Sequence, residues 1–189
     1  MKCNIIVAVG NNNGIGIGGK LPWNLRKELA YFSRMTKSTT DPLKKNAVVM
    51  GRKTWESIPE KFRPLPGRLN VVLTRTNRSL GEEVIVHTSL EDAIKDLHNR
   101  QDVETVWVIG GSSVYDEMMK SSYCHRLYIT NILKDYNCDT FFPEIGSQYK
   151  SVRVLSDWKN LKDLGQLPPL KIWKAKILQW KRFVSQYRR

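Results

Sequence analysis

The chain has 189 residues, of which 41% are hydrophobic and 26% are charged, and its formal net charge at pH 7 is +13. This length is typical of one domain with a sizeable core, so we expect a single domain over residues 1–189 that needs no metal ion and no disulfide. The longest apolar runs, at 5–9 and 106–109, are much shorter than the roughly 20 residues of a transmembrane helix. The amino terminus also lacks the features of a secretory signal.

The cysteines indicate the expected cellular compartment, and the charge distribution indicates the possible classes of binding partner. Cys3, Cys124 and Cys138 have neither metal-ligand nor redox-motif spacing, so we expect a cytoplasmic protein that does not enter a membrane. From Lys171 onward the chain contains basic residues and no acidic one, and residues from about 181 to 189 are predicted to form a basic tail. Such a run is most often solvated surface, but it is also typical of proteins that bind nucleic acids, membranes or polyanionic small molecules.

The predicted elements alternate between short β-branched strands and amphipathic helices. This alternation predicts an α/β fold of three layers, α/β/α, in which helices cover both faces of a central, mostly parallel sheet. In chain order we expect a strand at 5–9, a Gly- and Asn-rich loop, a helix from about 25 to 35, a strand at 47–50, a short helix at 52–57, strands at 70–74 and 84–87, a helix at 90–99, a strand at 106–109, a helix from 113 to about 119, and a strand at 127–131.

The C-terminal segment has two interpretations. Strand-like residues after about Val152 flank a loop at 160–169, which predicts an antiparallel hairpin that closes the sheet. Trp173 and Ile177 belong to a strand-like alternation with lysines, and they also have, with Trp180, the spacing of a basic amphipathic helix. We favour the strand because a predicted loop precedes it.

A glycine-rich segment at 14–19 matches the dinucleotide-binding pattern G-x-G-x-x-G after a predicted strand. That motif requires a helix to begin at the glycines, and Pro22 interrupts any such helix. The segment also nearly matches a phosphate-binding P-loop, but Leu21 occupies the position of the magnesium-binding Ser or Thr. We interpret it instead as a long mobile loop against a flat ligand, because its apolar side chains need something to cover. An idle surface loop is the alternative.

Glu28 is the sharpest indication of a functional site that the pattern alone provides. On a helical wheel, its carboxylate falls inside an apolar stripe formed by Leu25, Leu29, Phe32 and Met35. A buried carboxylate must be paired, protonated or directed into a ligand cavity. We favour a ligand cavity for a cationic or N–H-rich heterocycle. A structural carboxylate bonded to a buried hydroxyl or arginine is the alternative.

Three predicted strands end in residues that suit phosphate binding. Residues 50–54 put two cations and a hydroxyl at the start of a helix, residues 73–75 put a cation after a strand, and residues 109–113 offer bare backbone and hydroxyls at a helix amino terminus. Because open α/β sheets bind ligands beyond the carboxyl ends of their strands, these segments together predict a pyrophosphate site and a further phosphate site.

Read together, these segments resemble dihydrofolate reductase in its longer, eukaryotic form. The resemblance covers nearly the whole chain in order and is carried by residues 6–9, 14–16, 21–23, 28–32, 49–55, 57–59, 63–68, 109–115 and 139–143. It implies the dihydrofolate reductase-like fold and NADPH-dependent reduction of 7,8-dihydrofolate to tetrahydrofolate, which supports one-carbon and thymidylate metabolism. The implied reaction transfers a hydride to pterin C6 and protonates N5, with the segment 14–23 closing over the water that delivers the proton.

The resemblance also implies roles for individual residues around the substrate. Glu28 would bind the pterin 2-amino group and N3, with Thr130 and a water near Trp23 completing the network, and Leu21 would belong to the same catalytic set. Arg68 would bind the folate α-carboxylate through its planar fork. The full set implied for the substrate is Ile6, Val7, Leu29, Phe32, Ile58, Leu65, Arg68, Ile109 and Tyr115, in which Ile6 and Ile109 offer backbone carbonyls.

For NADPH, the resemblance implies a nicotinamide site and a phosphate site. The implied residues are Ala8, Ile15 and Gly19 at the nicotinamide, and Arg52, Lys53, Thr54, Thr74, Arg75, Gly110, Gly111, Ser112, Ser113 and Val114 at the phosphates. In similar proteins the Gly110–Gly111 peptide is cis. Two positions depart from the family pattern: Thr88 stands where vertebrate members carry an arginine at the 2′-phosphate, and Leu29 replaces an aromatic residue in the substrate slot.

The ligands implied are dihydrofolate and antifolates, for a monomer whose basic surface would bind RNA weakly. Two other readings remain open. A pyrimidine reductase of flavin synthesis would have the same fold, but it gives no reason for both Glu28 and Arg68. A basic module that binds nucleic acids or membranes would keep its binding when Glu28 is lost, and that binding would fall steeply with salt.

Overall fold

The computed structural model describes residues 2–76, 79–156 and 175–182, which form a layered α/β structure around one large sheet. None of the helices in these residues has the length and apolarity needed to cross a bilayer. The strands are β1 (Cys3–Val9), β2 (Gly14–Gly16), β3 (Lys45–Gly51), β4 (Arg68–Leu73), β5 (Val84–His87), β6 (Val103–Gly110), β7 (Cys124–Ile132), β8 (Thr140–Phe141), β9 (Tyr149–Ser156) and β10 (Ala175–Arg182). The helices are α1 (Arg26–Lys37), α2 (Arg52–Ser57), α3 (Leu90–Asn99) and α4 (Ser112–Lys120), with 3₁₀ turns at Asn11–Asn13 and Glu60–Phe62.

The large sheet has eight strands in the order β5-β4-β3-β6-β1-β7-β10-β9. The six strands from β5 to β7 are parallel, and β10 pairs antiparallel with both β7 and β9. The predicted three-layer α/β/α fold with a mostly parallel sheet is therefore confirmed. The strand interpretation of the C-terminal segment is confirmed from Ala175 onward, whereas Trp173 and the predicted loop at 160–169 lie outside the described residues.

Strand β10 extends to Arg182, whose register partner in β9 is Tyr149. Lys181 and Arg182, which the sequence assigned to the basic tail, therefore belong to the sheet. The remaining tail positions, 183–189, lie outside the described residues.

Two apolar cores cover the two faces of the sheet. Alternate residues of a strand point to opposite faces, so Val48 packs with α1 and α2 on one face while Val49 packs with α3 and α4 on the other. Strands that are buried on both faces need continuous apolar runs. This explains the uninterrupted hydrophobic stretches at 5–9 and 47–50.

The glycine-rich segment forms regular structure in place of the expected loop. Strand β2 pairs with β8 in a small antiparallel sheet, and Ile17 and Lys20 then exchange backbone hydrogen bonds of 2.9 and 3.0 Å across a tight turn. Within that turn, Gly18 and Gly19 have φ values of +55° and +73°, which glycine adopts without strain. No helix begins at these glycines, so the rejection of the dinucleotide fingerprint is confirmed.

Candidate active site

A cleft of about 2390 Å³ opens at the carboxyl ends of the parallel strands, between α1, α2 and the amino terminus of α4. Pockets for one small molecule usually measure about 300–1000 Å³, so this cleft has room for two ligands side by side. Of the residues that the sequence singled out as site residues, all line this cleft except Trp23 and Thr130. Those two are buried beside it, with 9% and 1% of their surface exposed.

Glu28 lies on α1, lines the cleft and is only 7% exposed. Burial raises the pKa of Glu28 to about 7. The described residues offer its carboxylate no cation or hydrogen-bond donor that would oppose this effect. Within the described part of the chain, the alternative of a carboxylate bonded to a buried hydroxyl or arginine is therefore wrong.

The orientation of α1 differs from the helical-wheel prediction. The buried residues of α1 are Glu28, Tyr31 and Thr36, whereas Leu29 is 44% exposed and lines the cleft. Phe32 also lines the cleft. Hydrophobic periodicity marks apolar surface but does not distinguish a core from an apolar ligand cavity, so part of the predicted core stripe is cleft wall.

Arg68 is a second buried charge in the cleft, at 8% exposure. Its Nη1 donates to Thr36 Oγ1 at 2.7 Å, its Nε donates to the Pro66 carbonyl at 3.2 Å, and its guanidinium lies 5.8 Å from the ring centroid of Phe32. Burial lowers the pKa of Arg68 to about 10. No acidic residue among those described forms an ion pair with it. Because a guanidinium has five N–H donors, donors remain for an anionic ligand.

An apolar wall lines the same cleft as these two charges. Ile58, Leu65, Ile109 and Phe32 are partly buried against the core on the α1 face of the sheet, and all of them line the cleft. This combination of an apolar slot with a few fixed polar groups is typical of a small-molecule site.

Two of the three predicted phosphate-binding segments are in contact. A Cβ atom at Gly110 would lie 3.2 Å from Thr54 Oγ1, and one at Gly111 would lie 3.3 Å from the same oxygen. The Gly110–Gly111 peptide is cis, as the resemblance implied, and Gly110 has a φ of +132°. Thr54 thus stands beside the amino terminus of α4, where free N–H groups attract phosphate. Arg75, from the third segment, lines the same cleft.

Two side chains of the predicted phosphate site already have protein partners. Nη1 of Arg52 donates to both carboxylate oxygens of Glu56, at 2.7 and 2.9 Å. Ser112 Oγ donates to the Phe141 carbonyl at 2.6 Å. A phosphate would therefore compete with Glu56 for Arg52, and it would meet Ser112 through the backbone N–H.

Tyr115 supports one of the predicted substrate contacts. Its hydroxyl donates a 3.1 Å hydrogen bond to the carbonyl oxygen of Ile6. Burial, and to a smaller extent the charge of Glu28, raise the pKa of Tyr115 well above its usual range. The hydroxyl therefore stays protonated and orients the Ile6 carbonyl, while Tyr115 also lines the cleft.

A family model described as "Dihydrofolate reductase" matches residues 2–163 of the chain. The chain belongs to the dihydrofolate reductase family. Similar proteins include the dihydrofolate reductase of Drosophila melanogaster, which is 52% identical over 83% of this chain and 87% of its own length. The dihydrofolate reductase of Aedes albopictus is 50% identical over 80% and 84%, and that of Gallus gallus is 45% identical over 82% and 84%. The family match does not support the pyrimidine reductase of flavin synthesis.

Sequence reasoning missed one residue that organises the edge of this reductase-family cleft. The carboxylate of Asp139 accepts the Gly18 N–H at 2.7 Å and the Thr140 hydroxyl at 2.8 Å, and its own N–H donates to the Gly16 carbonyl at 3.0 Å. These bonds fasten the turn after β2 to the start of β8. Asp139 and Gly18 are 121 positions apart, so no local pattern connects them, although the resemblance did include the segment 139–143.

Proposed function

We propose that this protein reduces 7,8-dihydrofolate to 5,6,7,8-tetrahydrofolate with NADPH as the hydride donor. The observation that carries the proposal is the pair of buried, uncompensated charges in one cleft. In the part of the chain whose side chains are described, Glu28 and Arg68 are the charged residues that are buried. Such charges are costly unless a ligand of opposite polarity binds them.

The separation of the two charges suits a folate. Arg68 hydrogen-bonds to Thr36, which is eight residues after Glu28 on α1. Eight residues of helix span roughly 12 Å, so Glu28 and the helix residue that binds Arg68 are about that far apart along α1. A folate has an N–H-rich pterin at one end, a carboxylate at the other and an aromatic ring between them. Glu28 would bind the pterin, Arg68 the carboxylate, and the apolar wall the ring.

The rest of the cleft offers a donor set that fits a dinucleotide phosphate. Free N–H groups at the amino terminus of α4, the Thr54 hydroxyl and the Arg75 guanidinium all line it, and Ala8, Ile15 and Gly19 line the part that would hold the nicotinamide. When bound, NADPH supplies a hydride to pterin C6. Thr88 lines the cleft but provides no charge. The preference for NADPH over NADH would therefore rest on Arg52 and Arg75.

Glu28 would control the charge and tautomer of the pterin. With a pKa of about 7, its carboxyl group changes protonation state near neutral pH, where a catalytic group is most useful. The proton for N5 would come from water beneath the segment 14–23. Trp23 Nε1 is a buried donor without an acceptor in the described part of the protein, which suits a hydrogen bond to that water.

The test is the rate of NADPH oxidation with dihydrofolate for the parent protein and for Glu28→Gln, measured across pH. The variant should lose about 10²-fold in rate, and the loss should be greatest at high pH, where the pterin is unprotonated. Glu83→Gln removes an exposed glutamate outside the cleft and should leave the rate unchanged. Absence of turnover in a folded parent protein would overturn the reductase assignment.

A further inference from the structure

Tyr136 lies between β7 and β8 and packs against Trp23. The two ring centroids are 5.1 Å apart and the ring planes meet at 61°, an edge-to-face arrangement. Aromatic pairs prefer this geometry because the positive edge of one ring meets the negative face of the other. The contact therefore restrains the orientation of the Trp23 indole as well as its position.

Neighbouring contacts fix Tyr136 itself. The ammonium group of Lys134 lies 5.3 Å from its ring centroid, within the range of a cation–π interaction. Gly10 permits the close approach, since a Cβ atom there would be 3.2 Å from Tyr136 Cδ2 and 3.6 Å from Trp23 Cζ3. Asn11 binds the same segment through a 2.8 Å hydrogen bond to Asp135. The end of β1, Trp23 and the segment 133–139 are thus packed into one unit.

Trp23 is a buried residue whose Nε1 has no acceptor in the described part of the protein. A buried N–H group is costly without a hydrogen bond, so this donor, buried beside the cleft, is suited to a water molecule. The direction of the Nε1–H bond depends on the plane of the indole ring. The edge-to-face contact with the Tyr136 ring restrains the plane of the Trp23 indole.

We propose that Tyr136 is a positioning residue for the protonation half of the reaction. Its ring holds Trp23 in the orientation in which Nε1 binds the water that passes a proton to N5, and solvent replaces that proton. The inference rests on the function proposed above. The role belongs to the ring, because the observed contacts to Trp23, Lys134 and Gly10 all involve ring atoms.

The experiment measures single-turnover rates of NADPH oxidation with dihydrofolate for Tyr136→Leu, Tyr136→Met and Tyr136→Phe across pH. Loss of the ring should slow the reaction about 10-fold at high pH, where protons are scarce, and much less at low pH. The KM values for both ligands, measured separately at steady state, should stay within about twofold, since no binding contact is removed. Tyr136→Phe should restore the parent profile because it keeps the ring.

Two controls separate positioning from a general structural effect. Tyr123→Leu removes a partly buried tyrosine just before β7, and it should leave the shape of the pH profile unchanged. In a Trp23→Phe background, Tyr136→Leu should cause no further loss at high pH, because the N–H donor is already absent.

The possible results separate failure of the proposed function from failure of the role given to Tyr136. A parent protein without turnover would remove the proposed function itself. An active parent with a uniform loss across pH in Tyr136→Leu and Tyr136→Met, or an additive loss with Trp23→Phe, would overturn only the role given to Tyr136. Tyr136→Met introduces a flexible side chain that can fill an irregular gap, so it provides the test if Tyr136→Leu does not fold.

Discussion

At the scale of single residues, the unpartnered carboxyl group of Glu28 lowers the stability of the folded protein when it is ionised. The pKa of an unfolded glutamate is about 4.3, and burial raises that of Glu28 to about 7. Between these values the folded state binds more protons than the unfolded state, so its stability falls as pH rises through this window. The full loss is reached above pH 7, where both states are ionised.

Glu28→Gln should therefore stabilise the ligand-free protein at high pH and have little effect near pH 4. The gain at pH 8 should approach about 3 kcal/mol in the free energy of unfolding. Urea denaturation at several pH values measures it, with Glu83→Gln as the matched control on an exposed glutamate. A stability difference that does not change between pH 5 and 8 would contradict the raised pKa.

Arg68 provides a second prediction at this scale, which concerns substrate affinity. Arg68→Leu should raise KM for dihydrofolate about 10²-fold, because the bidentate contact proposed with the substrate carboxylate would be lost, and should leave KM for NADPH nearly unchanged. Arg68→Lys should recover only part of the affinity, since an ammonium group lacks the planar fork. Equal increases in both KM values would show instead that the substitution damages the whole cleft.

At the scale of elements, the sequence predicts the helices and strands that are marked by local signals, such as a helix cap, or by a continuous apolar run. The bounds of α2, β5 and α3 match the prediction, and α3 is capped by Ser89, whose side chain accepts the Asp92 N–H at 3.1 Å. Such a cap is visible in the sequence. Strands β2 and β8 were missed because each is three residues or fewer and is held by a partner more than 100 positions away. Periodicity needs longer windows.

The contact of Asp139 with the turn after β2 predicts a defect in cleft closure. Asp139→Ala removes the acceptor of the Gly18 N–H, so the turn that lines the part of the cleft proposed for the nicotinamide should become less ordered. We expect about a 10-fold slower turnover and a higher KM for NADPH. Asp139→Asn keeps an acceptor oxygen and should be less affected. Asp102→Ala, which removes a carboxylate paired with Arg100, serves as a control and should not change either constant.

The pairing of β2 with β8 also depends on the absence of a side chain at Gly14. A Cβ atom there would lie 2.5 Å from Cys138 Sγ and 2.8 Å from Cys138 Cβ, which no real contact allows. Gly14→Ala should therefore destabilise the protein by about 1–3 kcal/mol. Removing the opposing side chain in the double variant Gly14→Ala, Cys138→Gly should restore part of this loss in thermal denaturation. A double variant that is no more stable than the additive sum would argue against the steric cause.

At the scale of the whole molecule, sheet topology brings the site together. The carboxyl ends of β1, β3, β4 and β6 lie side by side, so residues near positions 8, 52, 74 and 110 meet in one cleft. The alternation of strands and helices predicts this convergence. It does not predict which apolar residues of α1 face the ligand, nor that Tyr136 packs against Trp23 and Asp139 binds the turn after β2, because those contacts depend on tertiary packing between distant positions.

The net charge of +13 leads to a prediction about substrate capture, because dihydrofolate and NADPH are both anions. A positive field raises the encounter rate with anionic ligands, and salt screens it over about 10 Å at 0.1 M ionic strength. We therefore expect kcat/KM for both ligands to fall several-fold as ionic strength rises from about 0.02 to 0.3 M, with a much smaller change in kcat. Lys53→Gln, in the cleft, should weaken this salt dependence more than Lys95→Gln, whose ammonium group is exposed on α3 and paired with Glu91 at 2.9 Å. If both variants keep the parent salt dependence, the positive charge does not raise the rate at which these ligands are captured. Binding of a larger polyanion such as RNA should then be measured.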